Sequence, residues 1–404
     1  MENPGCVQTR EVLEQFSKYV IGNYARQPIV VVRAQGACFW DADGRKYLDL
    51  FPSWGCSLLG HCHPRVVAAI QKQAAELIHV DNTLYSVPQG QLAEMISTRS
   101  FGGQCFFANS GAEANEAAIK LARRATAEGR YKIITMEKSF HGRTYGAMSA
   151  TAQAKVHIGH EPLVPGFVYV PFGDVDAVRK AIDGETAAVM VEPIQGEGGV
   201  RISPPGYLAA LRELCDVNEA LLIFDEVQTG LGRTGKWFGY QQWDVAPDIM
   251  TLAKSLAGGA PMGAMVARPE IAAKMTPGSH ASTYGGNALV SAAGIAAIEA
   301  IEAEGLLERA VELGEYIVSK AKAFGEKTGV VREVRGLGLM IGIELEVPAG
   351  PIAEAALRQG LRVNATQDVV LRLLPAMVTT NEQVDEAFEI LTGIAARQAQ
   401  EANR

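Results

Sequence analysis

Two charged side chains stand where buried strands should end. Leu221-Leu222-Ile223-Phe224 is an apolar run that closes on Asp225 and Glu226. A short apolar run bounded by polar residues fits a strand buried on both faces. Asp225 then sits at its carboxyl end, where open α/β sheets place ligands. Twenty-nine residues later, beyond a loop with Gly230, Gly232 and Gly235, the run Ile249-Met250-Thr251-Leu252-Ala253 leads into Lys254. An acid and a lysine at adjacent strand ends can hold a pyridine-type cofactor from two sides. The same residues also fit as ordinary charges at loop starts, so the rest of the chain has to decide.

Other stretches offer chemistry of the same grade. Asn109-Ser110-Gly111-Ala112-Glu113 follows one apolar run and opens a helical one. Ser110 with Glu113 reads as a capping box. Free amides, a hydroxyl and a glycine at a helix start also make a phosphate site. The Gly-Lys-Ser/Thr ending of a nucleotide-binding loop is missing. In Ser139-Phe140-His141-Gly142-Arg143-Thr144, an aromatic and an arginine beside glycine can stack on a ring and hold a carboxylate; a loop with a solvated arginine has the same composition. Glu192-Pro193-Ile194-Gln195-Gly196-Glu197 carries two acids, suited to acid–base work or to solubilising a loop. His61-Cys62-His63 has metal-ligand residue types, but no second cluster exists and Pro64 follows at once. It reads as a turn before a helix, and no metal is expected. No Gly-x-Gly-x-x-Gly lies between a strand and a helix, which disfavours a nicotinamide enzyme.

These residues need a scaffold, and the chain is long enough to build one. Its 404 residues suffice for two domains and a large core, and 48% hydrophobic with 20% charged residues is ordinary for a globular protein. Net charge is −8 with no long basic run, so neither nucleic acid nor an anionic membrane is expected as the main partner. Met1-Glu2-Asn3-Pro4-Gly5 lacks the basic and apolar regions of a signal peptide, and no apolar stretch is bilayer-length. Cys6, Cys38, Cys56, Cys62, Cys105 and Cys215 are scattered, as packing thiols in a reducing cytoplasm would be.

The pattern changes twice along the chain. A helix over 11–20 precedes short strands at Ile29–Arg33, Ala37–Trp40 and Lys46–Leu50, the last two joined by the turn Asp41-Ala42-Asp43-Gly44. From Pro64, a first helical residue, strands and helices alternate. Strands are expected at 104–108, 131–136, 167–170, 187–191, 221–224, 249–252 and 263–267, with helices at 88–99, 111–127, 175–183, 205–218 and 269–275. Such alternation implies an α/β fold with a mainly parallel sheet. After Asn287 come helices over 287–303 and 305–327, β-like runs at 330–335, 337–346, 361–364 and 369–374, and a final amphipathic helix from Glu382. Blocks of this kind suggest a smaller α+β domain.

Taken together and in order, the motifs resemble one family. Asn109-Ser110-Gly111-Ala112-Glu113-Ala114-Asn115, Phe140-His141-Gly142-Arg143, Glu192-Pro193-Ile194-Gln195-Gly196-Glu197, Phe224-Asp225-Glu226-Val227-Gln228-Thr229-Gly230 and Lys254 are similar to those of class III, pyridoxal-phosphate-dependent aminotransferases. So are Gly60-His61-Cys62-His63-Pro64, Gly232-Arg233-Thr234-Gly235 and Ser282-Thr283-Tyr284-Gly285-Gly286-Asn287. The resemblance runs from about Tyr24 to the carboxyl end, and within the class it is closest to the acetylornithine and ornithine aminotransferases. It implies a fold-type I transferase working as a homodimer. Residues 1–48 would pack with the small domain, 49–287 would form the large cofactor-binding domain, and 288–404 the small one.

The resemblance also implies roles. Lys254 would form the Schiff base with pyridoxal 5′-phosphate, and Asp225 would pair with the protonated ring nitrogen. Ser110, Gly111 and Ala112 would bind the phosphate, Phe140 and Val227 would sandwich the ring, and Gln228 would reach its oxygen. Thr283 would contact the neighbouring subunit's phosphate. Arg143, helped by Tyr24, would hold a distal carboxylate, while Glu197 would mask Arg372 when the amine donor binds and expose it for glutamate. The implied reaction moves the terminal amine of N-acetylornithine to 2-oxoglutarate, in arginine biosynthesis. Ornithine, succinylornithine and 4-aminobutyrate are the alternative donors. One departure bears on that choice: Trp54 occupies a pocket-wall position where acetylornithine enzymes usually have a small aliphatic residue and ornithine enzymes an aromatic one. An isomerase or decarboxylase of this fold fits less well, because both arginines and the masking glutamate are present. A non-catalytic binding protein would be expected to have lost Lys254 or Asp225.

Overall fold

The computed structural model describes residues 8–402. Its centre is a seven-stranded sheet whose strands run, from one edge, Gln104–Ala108, Gly263–Ala267, Ile249–Leu252, Leu221–Asp225, Thr186–Val191, Lys132–Met136 and Phe167–Val170. Gly263–Ala267 is antiparallel to both neighbours; the other pairings are parallel. The sheet is buried on both sides. Leu222 and Phe224 join one core cluster, and Ile223 between them faces another with Met190, Ile249 and Met265. Helix Gly111–Ala125 covers the second face with Ala117, Ala118 and Ala122, side chains small enough to let it approach closely.

Six parallel strands share one carboxyl edge, and the residues that follow them gather there. Asn109, Ser139, Glu192, Asp225 and Ala253 each come within three residues after a strand end or close it. The expected strands and helices of this region are all present within a few residues. Short helices at Tyr145–Ala150 and Ala154–His157, and a ribbon pairing Ile194–Gln195 with Arg201–Ile202, were not expected from the sequence.

The remaining strands form two four-stranded sheets. One holds Val31–Gln35, Cys38–Asp41 and Lys46–Asp49, with Leu361–Arg362 added in parallel to the last. The other holds Val331–Leu337, Met340–Leu345, Val370–Leu373 and Asn364–Thr366. The β-like run expected over 361–364 is therefore divided at Val363, each half serving a different sheet. The reason is non-local: Leu361 registers with Leu48, more than three hundred residues earlier, while Asn364 registers with Arg372 in a local hairpin. His63 is the N-cap of helix Pro64–Glu76, without a side-chain cap bond, and its Nε2 lies 3.4 Å from Glu304. His61 Nε2 lies 3.1 Å from the buried Asp49. The two histidines thus serve structural pairs.

Arg233 ties these parts together. Its guanidinium is fully buried, has no ion pair among the described residues, and donates to the carbonyls of Leu339 (3.3 Å), Pro375 (2.6 Å) and Gly55 (3.1 Å). Burial holds its pKa down at about 9. The loop that carries it is pinned by Glu226, which accepts from Gly239 N (2.7 Å), Tyr240 N (2.6 Å) and the Thr229 hydroxyl.

Two predictions follow from this packing. A Cβ at Gly263 would collide with the backbone carbonyl of Ser110. Since a backbone atom cannot swing aside, Gly263→Ala should destabilise the fold by about 2–3 kcal/mol, read from denaturant unfolding. Burial pushes the Glu226 carboxyl from 4.5 up to about 7. A raised carboxyl favours the folded state while protonated, so its contribution is complete below the unfolded value and is lost as pH rises through about 7. The wild type should therefore lose more stability between pH 5 and 7.5 than Glu226→Gln does; parallel pH curves would refute this.

Candidate active site

A cavity of about 500 Å³ opens at the carboxyl edge of the sheet. Asn109–Ala112, Asn115, Phe140–Arg143, Glu192, Asp225, Val227, Gln228 and Ala253–Lys254 line it, together with Cys56 and Gly259–Met262. The sequence-expected Ser110, Gly111, Ala112, Phe140, Arg143, Asp225, Val227, Gln228 and Lys254 are thus brought into one place.

Asp225 is 3% exposed, and three donors surround it. Oδ2 accepts from Asn115 Nδ2 at 2.8 Å and lies 2.7 Å from His141 Nδ1, while Oδ1 accepts from Val227 N at 3.0 Å. An ionised carboxylate only accepts, so His141 carries its hydrogen on Nδ1. Asn115 is itself fixed, donating to His141 O at 2.7 Å and accepting from Thr251 Oγ1 at 2.7 Å. Three donors thus satisfy the buried carboxylate's oxygens within the fold. Asn115 and His141 lie within the sequence motifs, but their contacts to Asp225 are visible only in the fold. The available signal was Asn115 itself, a polar residue on the alanine face of the helix.

At the helix start, Ser110 Oγ accepts from Glu113 N at 3.2 Å. The expected capping box is shifted by one residue: the Glu113 carboxylate takes Asn109 N at 2.6 Å, not Ser110 N. The amides of Gly111 and Ala112 have no partner within the helix. A Cβ at Gly111 would lie 2.9 Å from Val227 Cγ1, and one at Gly142 2.6 Å from Ala112 Cβ, so these glycines let the walls meet.

Lys254 stands at φ +41°, unusual for a side chain of its size. Burial lowers its amine pKa, reinforced by Arg372 and opposed by Glu197, Cys56 and Asp225. Cys56, read from sequence as a packing thiol, lines the cavity, and burial raises its pKa against the pull of Lys254 and Arg233. Glu192 joins two loops, accepting from Phe140 N (3.0 Å) and Gly196 N (3.1 Å). Burial, with Asp225 nearby, raises its carboxyl to about 7 although His141 opposes the shift.

A second cavity of about 550 Å³ shares Phe140 and Arg143 with the first, and adds Trp54, Glu197, Asn364, Thr366, Gln367 and Arg372. Arg372 is fully buried. Its Nη1 lies 2.8 Å from Glu197 Oε1, and Nε and Nη2 donate to Asn364 Oδ1 at 3.0 and 2.9 Å. Trp54, at φ +58°, is half exposed on this wall. Two expected residues lie elsewhere. Tyr24 is 67% exposed, with Arg26 stacked on its ring, and lines neither cavity. Thr283 is exposed in a separate depression with Tyr85, Gln89 and Ser282.

The arrangement suits a phosphorylated pyridine. Free helix-start amides beside a hydroxyl match a phosphate, a buried carboxylate matches a ring cation, and a depressed lysine matches an aldehyde. Two buried polar atoms lack partners at this site, Gln228 Oε1 and His141 Nε2. Gly196 leaves room for Gln228, since a Cβ there would overlap its amide. The first of these atoms is available to a bound ring.

Comparison with known proteins agrees. Residues 20–395 match the family model described as aminotransferase class-III. The acetylornithine aminotransferase of Caldanaerobacter subterraneus is 50% identical over 93% of this chain and 97% of its own length. That of Methanocaldococcus jannaschii is 46% identical over 93% and 95%. An ornithine aminotransferase structure from Toxoplasma gondii, described with partial occupancy of PLP at its active site, superposes with a TM-score of 0.93 at 32% identity, covering 99% of this chain and 97% of that one. On these matches the chain belongs to the class III aminotransferases, which use pyridoxal 5′-phosphate.

Proposed function

We propose that the chain transfers the terminal amine of N-acetylornithine to 2-oxoglutarate, serving arginine biosynthesis. The observation that carries this reading is the pair of arginines in one chamber. Arg372 is neutralised by Glu197, while Arg143 has no ion pair among the described residues. An ω-amino donor has no carboxylate beside its reacting carbon, so a neutralised Arg372 suits it; glutamate has one and needs Arg372 uncovered. Arg143 then holds the far carboxylate that both substrates carry. The curated relatives named above support N-acetylornithine. The wall position of Trp54 and the Toxoplasma neighbour favour a second reading, ornithine, with succinylornithine and 4-aminobutyrate behind it.

Ser110 Oγ and the amides of Gly111 and Ala112 hold the phosphate. Phe140 and Val227 bracket the ring, and Gln228 reaches its oxygen. When bound, the cofactor supplies an electron sink for the carbon that loses its proton. Asp225, held in place by three donors, would face the ring nitrogen as its counter-charge. Lys254 Nζ, its pKa lowered by burial, would take the proton from the substrate carbon and deliver it to the cofactor's aldehyde-derived carbon. Asp225 and Lys254 are therefore the catalytic pair.

We also propose a homodimer in which Thr283 of one copy reaches the phosphate bound by the other, with Tyr24 drawn toward Arg143. Thr283, Tyr85 and Tyr284 are exposed in the single chain, and helix Thr9–Tyr19 buries none of its residues. A division at 1–48, 49–287 and 288–404 is supported by the way Leu361–Arg362 extends the N-terminal sheet. A cytoplasmic setting is supported by the five described cysteines, all free. Among the described residues no helix is long and apolar enough to cross a membrane.

Mixing the cofactor-loaded protein with each amine and following cofactor absorbance tests the donor. N-acetylornithine should react fastest; rapid reaction with ornithine or 4-aminobutyrate and none with N-acetylornithine would sink the assignment. Lys254→Ala should lower turnover by about 10³-fold or more. Glu197→Gln should slow the donor half-reaction about tenfold or more, leaving a buried cation unpaired, and spare the glutamate half.

A further inference from the structure

An arginine that must be masked for one substrate and bared for another poses a mechanical problem. When Glu197 swings away, something else has to keep the guanidinium in place. That something cannot be a second acid, because a fixed carboxylate would cancel the charge that the incoming carboxylate needs.

The surroundings of Arg372 meet both demands. Asn364 Oδ1 accepts from Nε at 3.0 Å and from Nη2 at 2.9 Å, so one neutral oxygen holds two of the three nitrogens. The geometry is set by the sheet, since Asn364 and Arg372 are directly registered across an antiparallel pair. On its other side Arg372 registers with Gly342, which offers no side chain to compete. The guanidinium carbon lies 4.9 Å from the centre of the Phe51 ring and 5.7 Å from that of Trp54. Aromatic faces stabilise a cation without neutralising it. Glu197 takes only Nη1, at 2.8 Å, and is partly exposed, so it can leave toward solvent while the other contacts persist.

We propose that Asn364, with Phe51 and Trp54, is the fixed half of the gate: a neutral cage that positions Arg372 and leaves its charge uncancelled for the acceptor's carboxylate. Asn364 is a positioning residue that acts through Arg372. Trp54 thereby gains a role beyond pocket size, as one wall of the cage. The proposal rests on reading Arg372 as the acceptor's carboxylate site.

The test uses cofactor-loaded wild type, Asn364→Asp and Asn364→Ser. The first readout is the dissociation constant for glutarate, a dicarboxylate with no reacting group, measured by calorimetry. The second is the ratio of the glutamate half-reaction to the half-reaction of whichever ω-amine the wild type accepts. Asn364→Asp keeps the shape but cancels the charge, and should weaken glutarate about thirtyfold and lower the ratio to match. Asn364→Ser keeps neutrality but loses reach, and should weaken glutarate about three- to tenfold. In Asn364→Asp the further change Glu197→Gln should no longer slow the amine half-reaction. Unchanged glutarate binding in Asn364→Asp, or a loss shared equally by both half-reactions, would overturn the proposal. Wild type that neither binds glutarate nor reacts with glutamate would instead remove the parent reading of Arg372, and the cage with it.

Discussion

The site depends on one buried negative charge. Asp225 ends the central strand, out of reach of bulk water, and Asn115, His141 and the Val227 amide all point at its carboxylate. Each donor is itself held: Asn115 by Thr251, His141 through its backbone N–H to the Thr151 hydroxyl at 2.8 Å, and Val227 by the turn after the strand. The carboxylate thus knits together helix Gly111–Ala125, the loop that carries Phe140, and two neighbouring strands. Loss of any donor would leave part of a buried carboxylate without its hydrogen-bond partner, at a cost of about 1–3 kcal/mol.

Much of this was legible because strands buried on both faces read as continuous apolar runs. The runs at 221–224 and 249–252 ended at Asp225 and near Lys254, and an α/β sheet puts such ends on one edge. Ser110 was legible as a helix cap, since capping is local chemistry. What escaped depends on pairing over long separations. Nothing near Leu361 signals that it will lie beside Leu48, and nothing near Asn115 signals an acid 110 residues later. Tyr24 and Thr283 belong to another category: they lie outside the cavity of their own chain, so a role for them depends on contacts that a single chain does not contain.

In the outer cavity Arg372 meets one acid, Glu197, and one neutral partner, Asn364. Glu192 lines the inner cavity and joins the loop of Phe140 to the loop of Glu197 through two amides.

Arg233 has a consequence for how the molecule comes apart. Its guanidinium has no acid to travel with it, only carbonyls from Gly55, Leu339 and Pro375. A segment near the start, one near the end and the loop after the central strand therefore share responsibility for a single desolvated cation. Peeling either end away would strand that charge in an apolar interior, at a cost of several kcal/mol before any other contact is counted. Partial opening that leaves the cation buried carries this penalty while full opening returns it to water, so the chain's two ends and its middle should melt in a single transition, despite sheets that are separate on paper.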